Sequence, residues 1–102
     1  MNPLKAHLLK NTQSFLRDGW RNQLKRNGSF LCFRKIIDNI RIEVTAPDEN
    51  AIMIFLYDTT KSKCRIQGKR SLKGMQDISA ILAEARSVLS FYLEHSSSKE
   101  VM

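Results

Sequence analysis

Ile40-Arg41-Ile42-Glu43-Val44-Thr45 is the stretch on which the reading of the fold turns. Apolar and polar residues alternate along it without a break. Ile40, Ile42 and Val44 fall on one side, Arg41, Glu43 and Thr45 on the other, which is the period of a strand with one buried and one wet face. Such a strand belongs in an antiparallel sheet covered on a single side. Upstream, Ser29-Phe30-Leu31-Cys32-Phe33-Arg34-Lys35-Ile36-Ile37 is rich in aromatic and β-branched residues and reads as another strand, separated by no more than Asp38-Asn39. Downstream, Ala46-Pro47-Asp48-Glu49-Asn50 has turn chemistry, and the uninterrupted apolar run from Ala51 to Tyr57 reads as the central strand. Asp58-Thr59-Thr60-Lys61-Ser62 then reverses the chain. Lys63 to Gln67 returns as a last strand with Cys64 and Ile66 inward, and Gly68 to Gly74 follows as a basic loop.

Helical periods flank these strands. Leu4, Leu8, Phe15, Leu16, Trp20 and Leu24 recur every three or four residues or at multiples of that spacing. They predict a helix capped at Asn11 or Thr12 and stopped at Asn27-Gly28, with Pro3 to Lys10 as a separate turn. Gly19 weakens that helix by about 1 kcal/mol relative to alanine. Toward the other end, Ile78, Ile81, Leu82, Ala85, Leu89, Tyr92 and Leu93 form an apolar stripe that predicts a helix lying across the sheet. The expected class is α+β: an N-terminal helix, an antiparallel sheet of three to four strands, and a long C-terminal helix packed on one face, in the order α-β-β-β-β-α. Residues 1–95 read as one domain and 96–102 as a frayed polar tail.

The chain has 102 residues, of which 42% are hydrophobic and 26% charged, so it is one small globular unit and neither disordered nor collagen-like. A domain of this size buries about 65% of its unfolded surface, enough for one sheet with helices on it. No run approaches the length of a membrane span. The first lysines, Lys5 and Lys10, are scattered among apolar residues, which is not the pattern of a secretory leader. Cys32 and Cys64 form no CxxC pair and read as two small buried hydrophobes, so a cytoplasmic location is expected.

Catalytic patterns are missing from the sequence. The two histidines, His7 and His95, lie near the ends of the chain, and Asp77, Glu84 and Glu94 read as the solvated side of the last helix. There is no Gly-rich phosphate loop and no HExxH. The expectation is therefore a protein that is not an enzyme, with no cofactor, no metal and no small-molecule substrate. Gly19-Trp20, Lys25-Arg26-Asn27-Gly28-Ser29 and Leu72-Lys73-Gly74 resemble HicA-type toxin ribonucleases, but Phe30 stands where that resemblance requires a histidine.

Charge is the informative signal. Seventeen Lys and Arg face ten Asp and Glu, a net charge of +7 that favours polyanionic partners. Lys61, Lys63, Arg65, Lys69, Arg70 and Lys73 follow one another without an intervening acid, in what reads as a basic hairpin and loop. Arg17, Arg21, Lys25 and Arg26 on the first helix, with Arg34 and Lys35 on the first strand, form a second candidate patch. Such groups bind phosphate backbones with steep salt dependence. Phe30, Phe33, Phe55 and Phe91 sit in apolar settings that read as core; Trp20 reads as packing, and Tyr57 has a polar rim.

Three stretches resemble the Alu-binding subunits of the signal recognition particle, the nine- and fourteen-kilodalton family. They are Leu8-Leu9-Lys10-Asn11-Thr12-Gln13-Ser14-Phe15-Leu16, then Asn27-Gly28-Ser29-Phe30-Leu31-Cys32-Phe33, and Pro47-Asp48-Glu49-Asn50 through Tyr57-Asp58 to Lys61-Ser62-Lys63-Cys64-Arg65-Ile66. The resemblance spans residues 8–93 and implies a heterodimer-forming RNA-binding module whose sheet grips folded RNA, with Lys61, Lys63 and Arg65 at the matching basic positions. A homo- or heterodimer is expected independently, through an edge strand or the first helix, because a small sheet leaves its edges exposed. The long basic loop of the larger subunit is absent between Ile37 and Ile40. The run from Met53 to Lys69 followed by a long helix also resembles half of a TATA-binding-protein saddle, which implies dimerisation. The alternative function is a protein-interaction adaptor, or a phage-type inhibitor, docking on an acidic host protein.

Overall fold

A computed structural model describes residues 2–60 and 66–101. Two short helices, α1 (Pro3–Lys10) and α2 (Thr12–Arg17), precede five strands, β1 (Arg21–Leu24), β2 (Phe30–Ile37), β3 (Ile40–Thr45), β4 (Ala51–Asp58) and β5 (Ile66–Lys73), and a final helix α3 (Ile78–Val101). The strands form one antiparallel sheet in chain order, β1 to β5. The class is α+β, as expected, with one strand more than the largest number expected.

That extra strand comes from the first predicted helix, which ends at Arg17 instead of Asn27. Gly19 is the cause. At φ +92 it takes the left-handed conformation that terminates a helix, Gly19 N–H donates to Leu16 O at 3.1 Å, and Trp20 N–H donates to Phe15 O at 3.0 Å. Trp20 then packs edge-on against Phe15, ring centroids 5.9 Å apart, closing the cap with an apolar contact. Arg21–Leu24 is consequently a strand, and Asn27-Gly28 is the β1–β2 turn instead of a helix stop, with Gly28 at φ +84. Pro3–Lys10 is a true helix, because the Asn2 side chain accepts hydrogen bonds from Leu4 and Lys5 N–H and proline starts the first turn.

Every helix lies on one face of the sheet. Leu4 and Leu8 of α1, Phe15 of α2, and Ile81 and Ala85 of α3 meet Phe33, Ile42, Val44, Ile52 and Ile54 in one buried cluster. The alternation along β3 and β4 is reproduced in burial, with Ile40, Ile42, Val44, Ile52, Ile54 and Leu56 covered. His7 of α1 donates from Nε2 to Gln76 O at 2.7 Å, tying the first helix to the connection that leads into α3. The stripe on α3 faces the core as predicted, with Val88 added to it and Leu93 left at the surface. α3 continues to Val101, through the residues expected to fray.

The second correction concerns the basic loop. Gly68 to Lys73 belongs to strand β5, paired with β4 from Ala51–Lys73 to Leu56–Gly68. The sequence signal failed because β5 is an edge strand with little burial, so it does not alternate in hydropathy. A register shift between Leu56 and Tyr57 sets Ile66 opposite Tyr57, which turns Ile66 outward instead of inward. Gly68 marks a close approach of α3: an added Cβ would sit 3.4 Å from Leu56 Cβ and 3.5 Å from Val88 Cγ1. Gly68→Ala should therefore be accommodated, whereas Gly68→Val should destabilise the fold by about 1–3 kcal/mol, read as a lowered urea midpoint.

Candidate nucleic-acid interface

With the helices on one side, the other face of the sheet is left open by the described residues. Cross-strand register puts Arg34, Glu43, Phe55 and Lys69 in one row across β2 to β5, with Arg21 of β1 opposite Arg34. The neighbouring row is Ile36, Arg41, Tyr57 and Ile66, and Ser71 and Lys73 extend the surface along β5. Within the described strands, the cations Arg21, Arg34, Arg41, Lys69 and Lys73 share this face with a single carboxylate, Glu43.

Glu43 organises the centre of the face. Its Oε2 lies 3.0 Å from Arg41 Nε and 3.5 Å from Arg34 Nε. Both Nε atoms are buried, yet neither N–H is aligned for a hydrogen bond, so the attraction is coulombic and leaves the trio with a net positive charge. The Arg41 guanidinium lies 4.5 Å from the Tyr57 ring centroid, a cation–π contact, and Phe55 lies beside Tyr57 with centroids 6.4 Å apart. Phe55 and Tyr57 are half-buried on the open face. Phe55 is thus not core, and neither is Phe91, which is 59% exposed; Phe30 and Phe33 are core as expected, and Trp20 is packed.

Apolar side chains flank this centre. Ile36 is 60% exposed and Ile66 is 52% exposed. A cleft of about 460 Å³ at the β1–β2 side is lined by Gly19, Arg21, Gln23, Arg34 and Ile36. Cys32 is buried beside Glu43, and burial first, then the Glu43 charge, pushes its thiol up to about 11. It stays protonated at neutral pH and is no nucleophile. Among the described residues, no group of three or more His, Cys, Asp or Glu gathers as a metal site.

The residues singled out from sequence divide by face. Arg21, Arg34, Lys69 and Lys73 come together on the open surface, and Arg41, absent from both predicted patches, joins them. Its alternation with Ile40 and Ile42 already puts it on this face, although it stands outside any basic run. Lys35 turns to the helix side instead, where Nζ donates to Asp18 O at 2.6 Å and lies 5.9 Å from the Trp20 ring centroid. Arg70 is also on the helix side, paired with Glu84 at 3.0 Å. Strand alternation separates both from their sequence neighbours. Arg17 is exposed on α2, while Lys25 and Arg26 are exposed on the β1–β2 turn and not on a helix. Lys61, Lys63 and Arg65, with Cys64, lie outside the described residues.

The acids also segregate. Asp18 accepts from Trp20 Nε1–H at 2.9 Å and approaches Arg86 at 3.5 Å and Lys35 at 3.7 Å, all on the helix side. Asp58 accepts from the Tyr92 hydroxyl of α3 at 3.1 Å. Among the described residues no helix is long and apolar enough to cross a membrane. No family model matches the chain, and comparison with curated proteins and with solved structures finds no match either.

Proposed function

We propose that this chain is a non-catalytic nucleic-acid-binding module that lays phosphates across the open face of its sheet, with RNA as the preferred polyanion. The observation that carries this reading is the sorting of charge. Arg21, Arg34, Arg41, Lys69 and Lys73 share a solvent-facing surface with Glu43 as the acid among them, while Asp18 and Glu84 pair with Lys35, Arg86 and Arg70 on the helix side. A rigid sheet presents guanidinium and ammonium groups at fixed spacing, which suits a repeating phosphate chain. Lys61, Lys63 and Arg65 precede β5 in sequence and extend the cationic run. The preference for RNA rests on the likeness to the Alu-binding subunits.

A salt-titrated binding assay tests the reading. With five phosphate contacts, log K should fall against log salt with a slope of about −4.5 on a duplex and about −3.5 on a single strand. Absence of binding at low salt would overturn it. A second reading, docking on an acidic protein, is favoured by one observation: Ile36 and Ile66 are exposed at the two ends of the Arg41–Tyr57 row. A stoichiometric protein complex that survives high salt would support that reading against the first. β1 and β5 are the two edges of the sheet, and β5 carries Lys69, Arg70 and Lys73, so like charges oppose its pairing with a second copy of itself.

A further inference from the structure

We infer that the ligand of the open face is a single strand whose neighbouring bases lie on Phe55 and Tyr57. This rests on the nucleic-acid reading and narrows it to a substrate class. The two rings occupy alternate positions of β4, on the same side of the sheet, and their centroids are 6.4 Å apart. Stacked bases within a duplex strand rise about 3.4 Å per nucleotide. Consecutive bases that cover both rings must therefore be drawn apart to nearly twice that spacing. A duplex does this only by breaking its stack, at a cost of a few kcal/mol per step, with its base edges still held in pairs, whereas a single strand splays its bases freely.

The surroundings fit the same ligand. Glu43 and Lys69 flank Phe55 in its row, with Arg34 beyond Glu43, and Arg41 and Ile66 flank Tyr57. Each ring thus has a cation within one strand spacing to meet the phosphate of the base it carries. Arg41 lies over Tyr57, and the guanidinium plane is itself a surface on which a base stacks. A duplex offers its phosphates to the cations but no exposed base face to the rings. One cation beside each ring, on the sheet face that carries no helix among the described residues, favours the strand.

The test uses the whole chain with three fluorescently labelled probes: a single strand of mixed sequence, the same strand annealed to its complement, and a strand of equal length made of abasic sugars. The single strand should bind at least about tenfold more tightly than the abasic strand. Phe55→Leu and Tyr57→Leu, which keep apolar bulk in the sheet, should each weaken single-strand binding by about five- to a hundredfold and leave duplex binding unchanged. Tyr57→Phe should bind like the unaltered protein. Far-UV circular dichroism and the emission of buried Trp20 report whether each variant folds. Equal affinity for the single, abasic and duplex probes on the unaltered protein would overturn the inference while leaving charge-led binding in place. No binding to any probe at low salt would remove both.

Discussion

Phe33→Ala should destabilise the protein by about 3–5 kcal/mol, the range for deleting a buried phenylalanine side chain. Phe33 is fully buried and sits where the N-terminal helices meet the sheet. Its ring stacks on Phe15 at 4.2 Å between centroids and 4° between planes, and lies 5.1 Å from Phe30. Removing it leaves a cavity in the main cluster and breaks two aromatic pairs worth about 0.5–1.5 kcal/mol each beyond their buried area. A domain of this size has roughly 5–15 kcal/mol of stability in total. The variant should show a urea midpoint lowered by about a fifth or more, and for a total of about 5 kcal/mol the loss takes up most of the stability. A loss below about 1 kcal/mol would mean that α2 is not held to β2 by this ring.

The combined variant Arg21→Ala, Lys69→Ala and Lys73→Ala should lose about a hundredfold in affinity for a single strand at ~0.1 M salt. Each lost phosphate contact removes about 0.7 from the salt slope on a single strand, so the slope should flatten by about 2. All three residues are exposed on the open face, and none takes part in the ion pairs found among the described residues, so the fold should be unaffected. Arg70→Ala provides the contrast. Arg70 lies between Lys69 and Lys73 in sequence but faces Glu84 of α3, so its removal should leave the slope unchanged. A slope that responds to Arg70 and not to the three open-face residues would mean that nucleic acid binds elsewhere.

Much of this was legible in the chain. The alternation of Ile40 to Thr45 located both faces of β3, including the outward Arg41 and Glu43. The stripe on α3 identified the side that covers the sheet. Gly19 reads in the sequence as a weak point inside a helix because its cost there is a local propensity. Its actual role as a cap depends on Trp20 reaching Phe15, a contact that the spacing alone does not reveal. β5 was hidden for a related reason: an edge strand with both sides largely wet has no hydropathy period to read, and Gly68 looks like a loop glycine until Val88 is seen against it.

The basic patches show the limit most clearly. Residue counts and local spacing established the class of fold, the surplus of cations and the short list from which an interface can be built. They are properties of residues next to one another along the chain. Which cations remain free is decided by residues far apart in sequence: Asp18 takes up Lys35, Glu84 takes up Arg70, and the β4–β5 register brings Lys69 beside Phe55. A strand sends successive side chains to opposite faces, so a run of positive charge is split in two when it pairs. The half that meets helix carboxylates becomes structural, and the half left on the open face is available to a partner.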